Sequence, residues 1–295
     1  MIKIERNLEE IALLYLTKLK ECKRKKQYPI NSWFIDKIDE LILAKPDEFN
    51  QINEEFEALY YSNNENVQRF RRYMDNQYKT MCDKHGYWLA KELNVNTCPY
   101  CNRQYTFTTD KKKKIRPQFD HFFSKSKYPH LALSFYNLIP CCPTCNHVKS
   151  DHVSELLHPY FEGYDVNCRF SVNHREFMLE KDSDIKVSID TLIECDDENF
   201  KIKCKNNIRT FALKELYQEH TDYIEEIILK TYSYNQEYYN GLIEDFSRMG
   251  KSTGEIHRLI FGNYIDRASN EQRPLSKLTS DILEQIGLQK YSYET

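Results

Sequence analysis

Cys98-Pro99-Tyr100-Cys101 and Cys142-Pro143-Thr144-Cys145 frame a stretch that also holds Phe119-Asp120-His121-Phe122 and Tyr136-Asn137-Leu138-Ile139-Pro140. The stretch runs on into Asn146-His147-Val148-Lys149-Ser150-Asp151. A CxxC turn presents two thiolates to one ion without strain, and tetrahedral zinc takes four such soft ligands. Cys98, Cys101, Cys142 and Cys145 are therefore expected to hold one structural Zn2+. A closed site of this kind leaves no coordination position for water or substrate, so its ion holds the fold and does no chemistry. Cys141 allows the second pair to slip by one residue, but the CxxC spacing favours Cys142. Residues 102 to 141 are more than a simple zinc ribbon needs between its knuckles, so that insert should carry something else.

Outward from this stretch the pattern turns helical. Leu8, Ile11, Ala12, Tyr15, Leu16 and Leu19 recur at helical spacing, and the basic run Lys23 to Lys26 ends them. Asn31-Ser32 reads as a cap before a helix over 33–43, and Pro46 as the opening of a third. A fourth is predicted over 65–83. After the stretch, Arg169 to Val172, Phe177 to Leu179, Ile185 to Ile189 and Phe200 to Cys204 read as short strands. From Ile208 the chain reads as one long helix to Tyr232, then Tyr238 to Met249, Ile256 to Ile265 and Leu275 to Ile286, with Gly287 suited to end the last. No internal repeat or low-complexity linker interrupts it, which predicts one compact body around the middle segment.

The 295 residues carry a net charge of −3, so nucleic-acid contact must come from local basic patches rather than from the whole-molecule field. Only 7 glycines and 9 prolines stand beside 22 tyrosines and 16 phenylalanines, which predicts long helices and short connections. No apolar run approaches the length of a bilayer span, and Glu5, Glu9 and Glu10 near the start do not suit a secretory signal. A cytoplasmic protein without a membrane partner is expected. Ten cysteines in that compartment are not a disulfide framework. Cys22, Cys82, Cys141, Cys168, Cys195 and Cys204 read as small, half-buried hydrophobes.

The order Asp-His, Asn, CxxC-Asn and Lys resembles the HNH, or ββα-metal, nuclease family. In that pattern a strand ends in Asp-His, an Asn precedes a second strand, and a CxxC knuckle leads into a helix. Asn146 stands where the family name has its last histidine, an HNN variant similar to the nuclease domain of RNA-guided CRISPR effectors. The phrase is also similar to HNH proteins of bacterial anti-phage defence systems, often found beside an ATPase. The resemblance implies a mainly α protein with a small α+β insert: a zinc-stapled unit at 94–158, between a helical region at 1–93 and short strands followed by helices at 159–295. It implies a metal-dependent endonuclease acting on DNA.

The residues support the same chemistry. Phosphodiester hydrolysis needs a base for water and a cation for the charge that grows on phosphate. His121 is the base candidate, since imidazole titrates near neutrality. Asp120 and Asn146 offer hard oxygen ligands suited to catalytic Mg2+ or Mn2+. Asn137 is expected to pin the loop between the strands through backbone hydrogen bonds. Lys149, three residues beyond Asn146, lies on the same helix face and can reach a phosphate. His147 is a rival to Asn146, one residue out of register. Lys111, Lys112, Lys113, Lys114, Arg116, Lys125 and Lys127 form a basic flank suited to backbone phosphates. Two other readings stay open: a zinc-stabilised nucleic-acid-binding or adaptor subunit, and a toxin-like nuclease that cuts RNA. The long helical flanks suit a docked partner, such as a defence-system ATPase, or a homo-oligomer.

Overall fold

The computed structural model describes residues 2–21, 29–60, 64–151, 155–164, 167–180, 183–234 and 236–287. Cys22, the basic run Lys23 to Lys26 and His152 lie outside the described residues, as do the side chains of Asn31 and Lys111. The chain divides into two compact units, one of residues 4–95 with 106–153 and the other of residues 1–3, 96–105 and 154–295.

In the first unit, α1 (Leu8–Lys20) starts on Asn7, whose side chain accepts from the Glu10 amide, and buries Ile11, Ala12, Tyr15, Leu16 and Leu19. The helix expected over 33–43 is two, α2 (Pro29–Asp36) and α3 (Ile38–Leu43), with Lys37 between them at φ −103°. Pro46 does not open the next helix. The Lys45 amide is bonded to the Glu48 carboxylate in a turn, and α4 runs Phe49–Tyr60. The fourth helix, α5 (Asn64–Leu93), extends ten residues past its predicted end. Its apolar stripe explains the extension: Phe70, Met74 and Met81 continue without a break into Leu89, Ala90 and Leu93, all buried.

Rings fill the space between these helices. Phe34 meets Phe70 edge-on at 6.3 Å, and Phe56 stands 5.5 Å from Phe70. His130 stacks on Phe56 at 4.2 Å, and its Nε2–H donates to Asn53 Oδ1 at 2.7 Å. Nδ1 is buried with no hydrogen-bond partner among the described residues. A proton there would be an unsolvated cation, so burial pushes the pKa down to about 3. The unfolded chain takes up this proton near pH 6.5. The stability that neutral His130 contributes is therefore complete above pH 6.5 and is lost as pH falls towards 3, by about 1.4 kcal/mol per pH unit. Urea unfolding from pH 7 to 5 is expected to be steeper in pH for the native chain than for His130→Phe, by about one proton. Equal slopes would sink this assignment.

The unit closes with β1 (Gln118–His121) paired antiparallel to β2 (Leu138–Cys141), His121 opposite Leu138, and with α6 (Pro143–Lys149) directly after β2.

The second unit has one further two-stranded sheet, β3 (Cys168–Val172) against β4 (Val187–Thr191). Two expected strands are helices instead. Residues 177–179 belong to α7 (His174–Leu179), and residues 200–204 to α8 (Glu198–Thr210). Asp197 caps α8 by accepting from the Phe200 amide at 2.9 Å, and Phe200, Cys204 and Asn207 are buried at helical spacing. Windows of three to five residues cannot separate that period from alternation. The expected single helix from Ile208 to Tyr232 is also interrupted. Ala212 turns left-handed at φ 46°, after which come α9 (Leu213–Gln218) and α10 (Thr221–Ser233). Phe211 and Leu213, on either side of that turn, are both buried.

The unit continues with α11 (Gln236–Arg248), α12 (Thr253–Phe261) and α13 (Ser276–Ile286). Gly287 closes α13 at φ 97°, a left-handed position that suits glycine. Residues 276–283 of α13 are all buried, with Lys277 and Asp281 paired at 2.9 Å and Asp281 accepting from the Phe170 amide. Among the described residues the chain is thus mainly helical, with two small two-stranded sheets. No helix among the described residues is long and apolar enough to cross a membrane.

Candidate metal centre and hydrolytic site

The first knuckle is a tight turn in which the Asn102 amide donates to the Cys98 carbonyl at 2.8 Å and the Arg103 amide to Cys101 Sγ at 3.4 Å. Asn102 is left-handed at φ 48°, and its side chain bonds Thr97, the Asn270 carbonyl and the Lys277 amide. It thereby caps α13 from far away in sequence. The second knuckle is the start of α6. Cys142 is its N-cap, Pro143 sits at the first helical position, and Cys142 Sγ accepts from the Cys145 amide at 3.4 Å. Amide-to-sulfur bonds of this kind favour the thiolate over the thiol.

The sulfur atoms of Cys98, Cys101, Cys142 and Cys145 are all buried and lie within 4.8 Å of one another. Tetrahedral zinc with sulfur ligands at about 2.3 Å needs sulfur separations near 3.8 Å, so these four can hold such a metal. Cys141 is outside the set. It is paired with Gln118 in the strands, and burial pushes its thiol pKa up. Among the described residues no other His, Cys, Asp or Glu cluster is compact enough to suggest a metal. Cys168, Cys195 and Cys204 are buried and free, and Cys82 is half-buried.

His121 ends β1 and is 9% exposed. Its Nε2 lies 3.0 Å from the Ala132 carbonyl, which can only accept, so Nε2 carries the hydrogen. Nδ1 is then the basic nitrogen. Burial is the main cause of a pKa lowered to about 4, opposed by the Ala132 bond and assisted by Lys125 and Lys149. Burial thus leaves the imidazole neutral at ordinary pH and able to accept a proton, while weakening it as a base.

Asn137 sits immediately before β2 and is fully buried. Its Oδ1 accepts from the Phe123 amide at 2.6 Å, and its Nδ2 donates to the carbonyls of Phe123 and Leu131 at 3.0 Å each. These bonds hold the segment after β1 in place, including the turn that delivers Ala132 to His121.

Asp120 is 3% exposed, and Lys149 faces it from α6 with its Nζ 3.2 and 3.1 Å from the two carboxylate oxygens. Lys149 also donates to the His121 carbonyl at 2.8 Å and is itself 1% exposed. The lysine expected at a phosphate thus spans Asp120 and His121 inside the fold. Breaking a buried pair strands its other charge. Lys149→Met is expected to lower unfolding stability by about 3–5 kcal/mol, with a substantial part recovered in Lys149→Met/Asp120→Asn. Additive losses in urea titrations of Lys149→Met, Asp120→Asn and the double variant would contradict the pairing.

Asn146 is half-buried in α6, its Nδ2 donating to Gln118 Oε1 at 2.6 Å, while His147 is exposed. The basic flank divides in two. Lys112, Lys113, Lys114 and Lys127 are exposed, whereas Arg116 packs over the rings of Tyr87 and Phe119 and Lys125 pairs with Asp75 at 2.8 Å. Three contributors near His121 carried no sequence signal: the Ala132 carbonyl, Tyr78 and Asp75. Main-chain acceptors and residues in a long helix have no motif spacing to reveal them.

Fold and site together define a mainly helical protein with small two-stranded sheets and a four-cysteine site able to hold a metal such as zinc. Among known proteins the chain is similar to the Septu protein PtuB of Bacillus thuringiensis, 34% identical over 64 residues. That match covers 22% of this chain and 23% of that protein, so the chain spans about a quarter of its length. No family model matches the chain. No solved structure matches it either.

Proposed function

We propose that the chain is an HNH-type endonuclease that hydrolyses phosphodiester bonds of DNA with the help of a divalent metal. One observation carries the reading: at the end of β1 the His121 Nε2–H is turned to the Ala132 carbonyl at 3.0 Å, which leaves Nδ1 as the basic nitrogen. Asp120 immediately precedes it, and Asn146 lies within α6, the helix behind the second strand. A carboxylate and an amide oxygen are the hard donors that Mg2+ or Mn2+ prefers. Asp120 already faces a cation, the Lys149 ammonium, so the donor chemistry fits and Lys149 competes for the same oxygens. A divalent ion held by Asp120 and Asn146 would neutralise charge growing on the phosphate. His121 Nδ1 takes the proton of the attacking water, and the Ala132 bond keeps the ring in the tautomer that can do so. Asn137 keeps the intervening loop from moving, and Lys112, Lys113, Lys114 and Lys127 offer exposed charge to the DNA backbone.

The partial likeness to a Septu protein supports anti-phage defence as the setting, with an ATPase or other defence protein as partner. A second reading, a zinc-stapled binding or adaptor subunit with an inert site, draws on one observation. Lys149 neutralises the Asp120 charge that a metal would need. Plasmid cleavage with Mg2+ or Mn2+, beside EDTA and His121→Ala controls, separates the two. Cleavage lost in both controls supports the enzyme. Intact plasmid with a folded, metal-loaded chain supports the adaptor.

A further inference from the structure

We infer that Tyr78, on the long helix α5, is a positioning residue for the His121 imidazole, so that the N-terminal helical region supplies part of the hydrolytic site. This rests on the proposed role of His121 as the base. The ring centroids of Tyr78 and His121 are 4.5 Å apart at 59°. The Tyr78 hydroxyl donates to the Phe119 carbonyl at 3.1 Å, two residues before His121 on β1. The tyrosine is therefore tied to the strand that carries the histidine, and its ring cannot leave the imidazole without giving up that bond.

The bond also decides what Tyr78 is not. Its O–H points into the main chain, so it is no proton donor for a substrate, and it acts through His121 alone.

The need for such a wall follows from the histidine's own contacts. Ala132 fixes one nitrogen through one hydrogen bond. One bond leaves the ring free to tilt about it, and a ring that rotates away loses the aim of Nδ1. Reacting groups need alignment, and a displacement of about 1 Å costs on the order of 100-fold in rate. The Tyr78 ring packs tilted against the imidazole at 4.5 Å and restricts that motion.

A second contact from α5 steadies the chain beyond the histidine. Asp75, one turn before Tyr78, pairs with Lys125 at 2.8 Å, and that ammonium also sits 5.2 Å over the Tyr78 ring. One helix thus grips β1 before His121, through Phe119, and the segment after it, through Lys125.

The test uses the full-length, metal-loaded chain with Tyr78→Ala, Tyr78→Leu and Tyr78→Phe. For the alanine and leucine variants kcat on plasmid is expected to fall about 10- to 100-fold with KM for DNA unchanged, whereas Tyr78→Phe, which keeps the ring, stays within about threefold of the native chain. Side-chain 15N NMR near pH 7, without DNA, reads the tautomer directly. The native chain should show a single Nε2–H form at His121, and the variants lacking the ring a mixture of both forms. Tyr78→Leu keeps apolar volume and decides the matter if Tyr78→Ala fails to fold. Unchanged kcat with an unchanged tautomer in Tyr78→Leu would overturn the assignment. If no chain cleaves DNA, the nuclease reading fails by itself, and the tautomer still decides whether Tyr78 positions His121.

Discussion

The native chain is expected to bind one zinc per chain, and a Cys142→Ser chain to bind none and to lose cooperative unfolding. Structural zinc contributes about 10–16 kcal/mol of apparent folding free energy in small zinc modules. Whole domains are stable by only about 5–15 kcal/mol. Loss of one thiolate from a closed site therefore removes a quantity as large as the stability it supports. Cys142 has a second task, because its sulfur accepts the Cys145 amide as the N-cap of α6, the helix that carries Asn146 and Lys149. The neighbouring Cys141→Ser is the internal control. Cys141 is equally buried, yet it stands in the strand outside the four-sulfur cluster, so its variant should keep the metal. Zinc per chain by elemental analysis, read beside a thermal melt, checks both. A Cys142→Ser protein that holds one zinc and melts like the native chain would remove the metal centre from this account. The opposite assignment of the two cysteines would show that the register is one residue out.

The second large effect is on turnover. Under the proposed nuclease reading, His121→Ala is expected to cut DNA about 10²- to 10⁴-fold more slowly than the native chain, the usual contribution of a positioned base. That range corresponds to about 3–5.5 kcal/mol of transition-state stabilisation. Binding of DNA should be unchanged, because His121 is 9% exposed and contributes no charge in its neutral state. The substitution also strands the Ala132 carbonyl, at a cost of about 1–3 kcal/mol in stability, so the melt must be recorded beside the rate. Cleavage by a folded His121→Ala protein at the native rate would assign the base elsewhere. Loss of DNA binding together with cleavage would make His121 a structural residue.

Much of this was legible before any coordinates. The two CxxC pairs named their four cysteines because ligand spacing is a local property: each knuckle closes its turn through bonds between near neighbours. The helical stripe of α1 and the Gly287 stop of α13 are local in the same sense. Where local windows were short, they misled. Residues 177–179 and 200–204 alternate well enough for strands, yet both lie in helices, the second capped by Asp197 with Phe200 and Cys204 buried four apart.

Residue types and their order within a few turns of chain were determined by the sequence alone: a mainly helical protein, a four-cysteine set, and a His121 preceded by Asp120. What each polar side chain faces was decided only by the tertiary structure. Lys149 on a helix face looked like a phosphate ligand until the strand beside it presented Asp120. Arg116 and Lys125 looked like surface charge until α5 offered rings and Asp75. The Ala132 carbonyl and the Tyr78 ring reach His121 through packing that no spacing encodes. The reason is physical. A metal turn is settled by bond lengths between neighbours in the chain, whereas the partner of a buried charge is settled by which distant segments exclude water from it.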